Sequence, residues 1–176
     1  MSTTRRTFLK RAGAAAATGL GTTVNAGEAQ EWAKPDNVKT AKNKLRILFL
    51  GGTGFVGPHQ VEFALARGHE VTLFNRGKTN PHLFPEVEKL RGDRNDDLEA
   101  LKGRTWDAII DNSAHIPRWI TDVGTILKDR VGQYLFISST GVYDPYLTVD
   151  ITEDATLAIL EDPTVEEVNG ETFGGL

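Results

Sequence analysis

The sequence predicts an α/β protein: a doubly wound parallel sheet in a three-layer αβα arrangement, with strand order 3-2-1-4-5. Three observations carry this expectation. From Leu45 onward, short apolar runs alternate with amphipathic segments. Glycines recur at every third position, Gly51, Gly54 and Gly57, where the first run gives way to the first amphipathic segment. Five apolar runs fit between Leu45 and Ser138. That is the pitch of strand–helix–strand units joined by right-handed crossovers.

The elements follow in order. Leu45–Leu50 is an unbroken apolar run of strand length, ended by the glycine loop. Pro58–Arg67 places Val61, Phe63, Ala64 and Leu65 near helical spacing, with Pro58 at its start and Gly68 as a stop. Glu70–Phe74 is the second strand, and Val87–Leu90 a weak third. Asp96–Leu101 is a short helix with Asp at its start. Trp106–Asp111 is the fourth strand, Ile116–Leu127 a helix interrupted by Pro117 and Gly124, and Gln133–Ser138 the fifth strand.

Composition narrows the function classes. The chain has 176 residues, enough for one domain of ordinary size, and 39% hydrophobic with 25% charged residues suits a globular protein. Net charge is −4. Residues 1–26 hold Arg5, Arg6, Lys10 and Arg11 and no acid, which leaves 16 of the 20 basic groups against 24 acidic ones beyond them, a net of −8. A body that acidic offers no electrostatic footprint for nucleic acid or anionic lipid. Cysteine is absent, and His59, His69, His82 and His115 lie far apart without ligand spacing, so no metal site is expected.

The N-terminus reads as an address. Arg5-Arg6-Thr7-Phe8-Leu9-Lys10 precedes a weakly apolar Ala, Gly and Thr stretch from Ala12 to Val24, too short and glycine-rich to span a bilayer. Val24-Asn25-Ala26 puts small residues where a signal peptidase inspects them. The pattern resembles a twin-arginine signal, so export of the folded chain to the periplasm or beyond is expected, with the twin-arginine machinery as a partner. Residues 27–43 lack apolar periodicity and read as a linker.

The glycine loop, Gly51-Gly52-Thr53-Gly54-Phe55-Val56-Gly57, sits between a strand and a helix. Gly51 can turn freely, Gly54 lets a pyrophosphate reach bare backbone, and Gly57 lets the helix pack closely. The unpaired N–H groups and dipole of the helix then face the phosphates, and the context points to a dinucleotide. The second strand ends in Asn75-Arg76-Gly77-Lys78 instead of an acid. Arg76 could bond a 2′-phosphate that an acid would repel, so NADP is set slightly ahead of NAD. Asp93 suits a bond from the adenine amino group, or equally a cap for the following helix.

Together these residues resemble the extended short-chain dehydrogenase/reductase family, the NAD-dependent epimerase/dehydratases, whose cofactor domain is of Rossmann type. The likeness runs from Leu45 to the end. It implies that Gly51, Thr53, Gly54, Phe55, Val56 and Gly57 form the cofactor loop, and that Asn112, Ser113 and Ala114 lie along the nicotinamide ribose. Ser138-Ser139-Thr140-Gly141-Val142-Tyr143 is similar to the segment bearing the catalytic hydroxyl. Counting back four from Tyr143 selects Ser139, with Thr140 beside it, to hydrogen-bond a substrate carbonyl or hydroxyl. The implied substrate is nucleotide-sugar-like or another small hydroxyl compound, and helices of this family often form dimer interfaces.

The family's proton shuttle is a Tyr-x-x-x-Lys pair, in which Lys lowers the phenol pKa. No such pair is present, and Phe173 stands where the Tyr is expected. From Asp144 to Glu171 there are nine acids and no Lys or Arg. The expected organisation is therefore a signal at 1–26, a linker at 27–43, a dinucleotide domain at 44–143, and an acidic, incomplete start of a substrate region at 144–176. Dinucleotide binding without turnover, or an inactive fragment, is the alternative to an active oxidoreductase.

Overall fold

The computed structural model describes residues 37–144, 149–162 and 164–169. The expected signal, most of the linker, Tyr146 and Phe173 lie outside them. Five strands, β1 (Arg46–Leu50), β2 (Glu70–Asn75), β3 (Glu88–Arg91), β4 (Trp106–Asp111) and β5 (Val131–Phe136), form one sheet in the order β3-β2-β1-β4-β5. All four pairings are parallel. This is the expected doubly wound sheet.

Alternation along β1 sorts the two faces. Ile47 and Phe49 point to one face and pack with Val61 and Ala64 of helix α1 (Gly57–Ala66), beside Val71 and Leu73 of β2. Leu48 and Leu50 point to the other, against Leu98, Leu101, and Val123 and Leu127 of helix α2 (Pro117–Leu127). A sheet buried on both sides explains why β1 is apolar throughout and not alternating.

Three elements differ from the sequence expectation. The helix at Asp96–Leu101 shrinks to a single 3₁₀ turn, Glu99–Leu101. Asp93 and Asp97 exchange backbone hydrogen bonds at 2.9 and 3.0 Å, and Asp96 has φ +73°, a left-handed conformation that an α-helix cannot include. Helix α2 is uninterrupted. Pro117 occupies its first turn, where no N–H is needed, and Gly124 is tolerated on an exposed position. Finally, β5 begins two residues earlier than expected, at Val131, and ends at Phe136, so Ser138 lies past the strand.

Candidate functional site

The chain runs from β1 through β2 to β3 on one side, then crosses back to place β4 on the other side of β1, so a crevice opens above the carboxyl end of β1. The glycine loop forms its floor. Gly51 and Gly52 have φ +102° and +93°, and the loop is stitched to both neighbours. Gly51 N–H donates to the Phe74 carbonyl, and Asn112 N–H donates to that of Leu50, each at 3.0 Å.

The two remaining glycines of the repeat have separate jobs. A Cβ on Gly57 would lie 2.5 Å from the Gly52 backbone, so the start of α1 can close on the loop only without a side chain. A Cβ on Gly54 would meet nothing within 4 Å. Gly54 is exposed and lines the groove, so its small size leaves room for a ligand and is not a packing need. No acid stands in the first turn of α1, and its unpaired N–H groups keep a positive end at the loop.

The groove measures about 310 Å³. Of the residues singled out in the sequence, Gly51, Thr53, Gly54, Asn75, Arg76, Asp93 and Ser113 line it, together with Lys78, Arg94, His115 and Trp119. At its β2 end the Asn75 side-chain oxygen accepts from Gly77 N–H at 2.9 Å and shapes a tight turn. Arg91, paired in register with Asn75, lays its guanidinium over Gly77: a Cβ there would fall 0.8 Å from Nη1. Arg76, Lys78 and Arg91 thus converge on one turn, and among the described residues none of them is ion-paired. Asp93 does not cap a helix; its carboxylate accepts from Asn95 N–H at 3.0 Å.

A second, smaller cavity adjoins the first toward β5. Asn112, Ala114, Ser138 and Ser139 line it. The Asn112 amide donates to Gln60 Oε1 at 2.7 Å, and Ser139 Oγ accepts from Gly141 N–H at 3.1 Å. Four expected residues line neither space: Gly57 is buried where α1 closes on the loop. Phe55 is 93% exposed and Val56 is exposed too, both at the loop surface, while Thr140 starts the 3₁₀ turn Thr140–Val142.

The strongest electrostatic feature of the site is one that sequence reasoning passed over. Asp111 ends β4 fully buried, and Arg94 Nη1 lies 2.6 and 2.7 Å from its two oxygens. Arg94 Nη2 donates to the Trp119 carbonyl at 2.7 Å, and Ser113 N–H donates to Asp111 at 3.1 Å. The Tyr134 hydroxyl also donates to Asp111. Burial, then the adjacent carboxylate, pushes the Tyr134 phenol above its ordinary range, so it stays a donor. An acid closing an apolar strand signals a buried partner, but only the sheet order brings Arg94 beside it.

A parallel sheet with a bare glycine loop at its switch point and a basic turn at the next strand defines a Rossmann-type α/β fold. The chain belongs to the NAD dependent epimerase/dehydratase family, whose model matches residues 47–164. A curated relative, chloroplast stem-loop binding protein of 41 kDa b from Arabidopsis thaliana, is 30% identical over 122 residues, covering 59% of this chain and 32% of that protein. Among solved structures, the Bordetella bronchiseptica enzyme WbmG in complex with NAD and UDP matches with TM-score 0.54 and 17% identity, over 66% of this chain and 44% of that one. A UDP-galactose 4-epimerase matches with TM-score 0.56 and 20% identity, over 64% of this chain and 44% of that one. At these identities the solved structures speak for the fold. The chain spans 32% to 44% of the length of these relatives.

Proposed function

We propose that the groove holds NADP(H), and that the chain is the cofactor-binding part of an oxidoreductase of epimerase or dehydratase type. The observation that carries this reading is the glycine floor: Gly54 open to the groove and Gly57 closed on Gly52, beneath the positive end of α1. The nicotinamide, when bound, supplies the hydride acceptor; the protein binds, orients and excludes water. Arg76, Lys78 and Arg91 favour a 2′-phosphate over a free ribose hydroxyl, because the adenosine ribose of NAD presents no anion to three unpaired cations at this turn. For the substrate we propose a nucleotide sugar or a similar hydroxyl compound, supported by family membership and by relatives solved with UDP or named for a UDP sugar. Ser139, and Ser138 beside it, would bond its oxygen from the second cavity.

The test is a comparison of NADP⁺ and NAD⁺ affinity in the wild-type chain and in Arg76→Ala. Loss of a charge-assisted contact should weaken NADP⁺ about tenfold or more and leave NAD⁺ nearly unchanged. An equal loss for both would contradict 2′-phosphate recognition. A second reading, dinucleotide binding without turnover, is favoured by Phe173 standing where the family places its tyrosine. We also propose twin-arginine export, on the order of charge, apolar run and small residues in the first 26 positions. Fusing those residues to a folded reporter tests it; a reporter that stays in the cytoplasm would refute it.

A further inference from the structure

We propose that His115 is the side chain that exchanges the substrate proton at this site, in the place where the family uses a tyrosine; this rests on the oxidoreductase reading above. His115 lines both the glycine-loop groove and the second cavity. A dinucleotide whose adenosine end lies at Asn75 and whose phosphates lie on the glycine loop has its other end directed past His115, toward β4 and β5. The remaining walls of the second cavity are amide, hydroxyl and apolar side chains, so His115 is the titratable group among the described residues that line it.

The described tyrosines do not compete. The Tyr134 hydroxyl is committed to Asp111, and Tyr143 lines neither space. His115 is also held in place. Its ring meets that of Trp119 edge-on, with centroids 5.8 Å apart, and the Trp119 carbonyl is anchored by Arg94. The imidazole is exposed and can pass a proton to water. An imidazole nitrogen can both accept and donate a proton, which suits such a shuttle. The charged groups sharing its groove are Arg76, Lys78, Asp93 and Arg94, the last neutralised by Asp111.

In the oxidising direction, a neutral His115 nitrogen accepts the hydroxyl proton of the substrate. The hydride leaves the same carbon for the nicotinamide, and the C–O bond becomes C=O. The products are a carbonyl compound, a reduced nicotinamide and an imidazolium, which returns its proton to solvent. Reduction runs the same steps backward.

The test is a histidine side-chain NMR titration of the full chain, first with saturating NADP⁺ and then with NADPH, using His115→Asn to assign the signal. The oxidised ring carries a positive charge that the reduced ring lacks. The His115 midpoint should therefore be lower with NADP⁺ by about half a pH unit, while His59, His69 and His82 stay fixed. Equal His115 midpoints with both cofactors bound would overturn the assignment. A chain that binds neither cofactor would overturn the underlying reading instead, and the binding step distinguishes the two failures.

Discussion

Arg94 reaches across the switch point to Asp111, its Nη1 bridging both carboxylate oxygens at 2.6 and 2.7 Å. The pair ties the exit of β3 to the end of β4, and the Trp119 carbonyl and Tyr134 hydroxyl bring α2 and β5 into the same knot. Both charges are buried, so removing one strands the other. Arg94→Met and Asp111→Asn should each cost about 3 kcal/mol in urea denaturation. The double variant Arg94→Met/Asp111→Asn should lose clearly less than the sum. Additive losses would show that the two residues do not act as a pair.

Two glycines should respond in opposite directions to alanine. In Gly57→Ala the new methyl would sit 2.5 Å from the Gly52 backbone, and overpacking of this kind costs about 1–3 kcal/mol. In Gly124→Ala the methyl meets nothing within 4 Å on the exposed side of α2, and removing a helical glycine should gain about 0.5–1 kcal/mol. Thermal denaturation of the two variants checks both signs.

How far the sequence led depends on the range of the interaction. Apolar runs and glycine spacing are local signals, and they yielded all five strands, their order and the loop at Gly51–Gly57. The Asp96–Leu101 helix failed because the Asp93–Asp97 backbone pairing competes with it, and no local pattern announces that pairing. Arg91 over Gly77 and Arg94 on Asp111 were invisible for a related reason. Each depends on which strands become neighbours, and residues 14 and 17 positions apart carry no mutual mark. Phe55 and Val56 belong to the loop motif, but their side chains face solvent and not the groove.

The outer strand carries an exposed apolar strip. β5 pairs with β4 alone among the described strands, and Leu135, Phe136 and Ile137 are 37%, 43% and 40% exposed. An uncovered strand with such a strip is prone to edge-to-edge association. Phe136→Lys should lower concentration-dependent light scattering of the 176-residue chain. Unchanged scattering would mean that association does not start at this edge.

Acid should release two tethers. The Arg118 guanidinium, at 2.6 and 3.1 Å, holds the Glu166 carboxyl below its usual range. The Arg46 backbone N–H, and then its side chain, do the same for Asp107. A depressed carboxyl stabilises the fold above its unfolded pKa, near 4, and that contribution is lost as pH falls through the depressed folded value. Val168 lines the second cavity just beyond the Glu166 tether. Limited proteolysis should therefore cut near Glu166 faster below about pH 4 than at pH 7, and Glu166→Gln should make cutting fast at both. Equal rates for the wild-type chain at the two pH values would contradict the tether.

The most direct test of the dinucleotide site is calorimetric titration of NADP⁺ and NAD⁺ into the wild-type chain and into Gly54→Val. Gly54 has open space where a Cβ would stand, so the valine should fill the groove without disturbing the fold. The expected result is binding to the wild-type chain, tighter for NADP⁺, and loss of both cofactors in Gly54→Val at an unchanged ligand-free melting temperature. Undiminished binding in Gly54→Val, or no binding to the wild-type chain, would contradict the site.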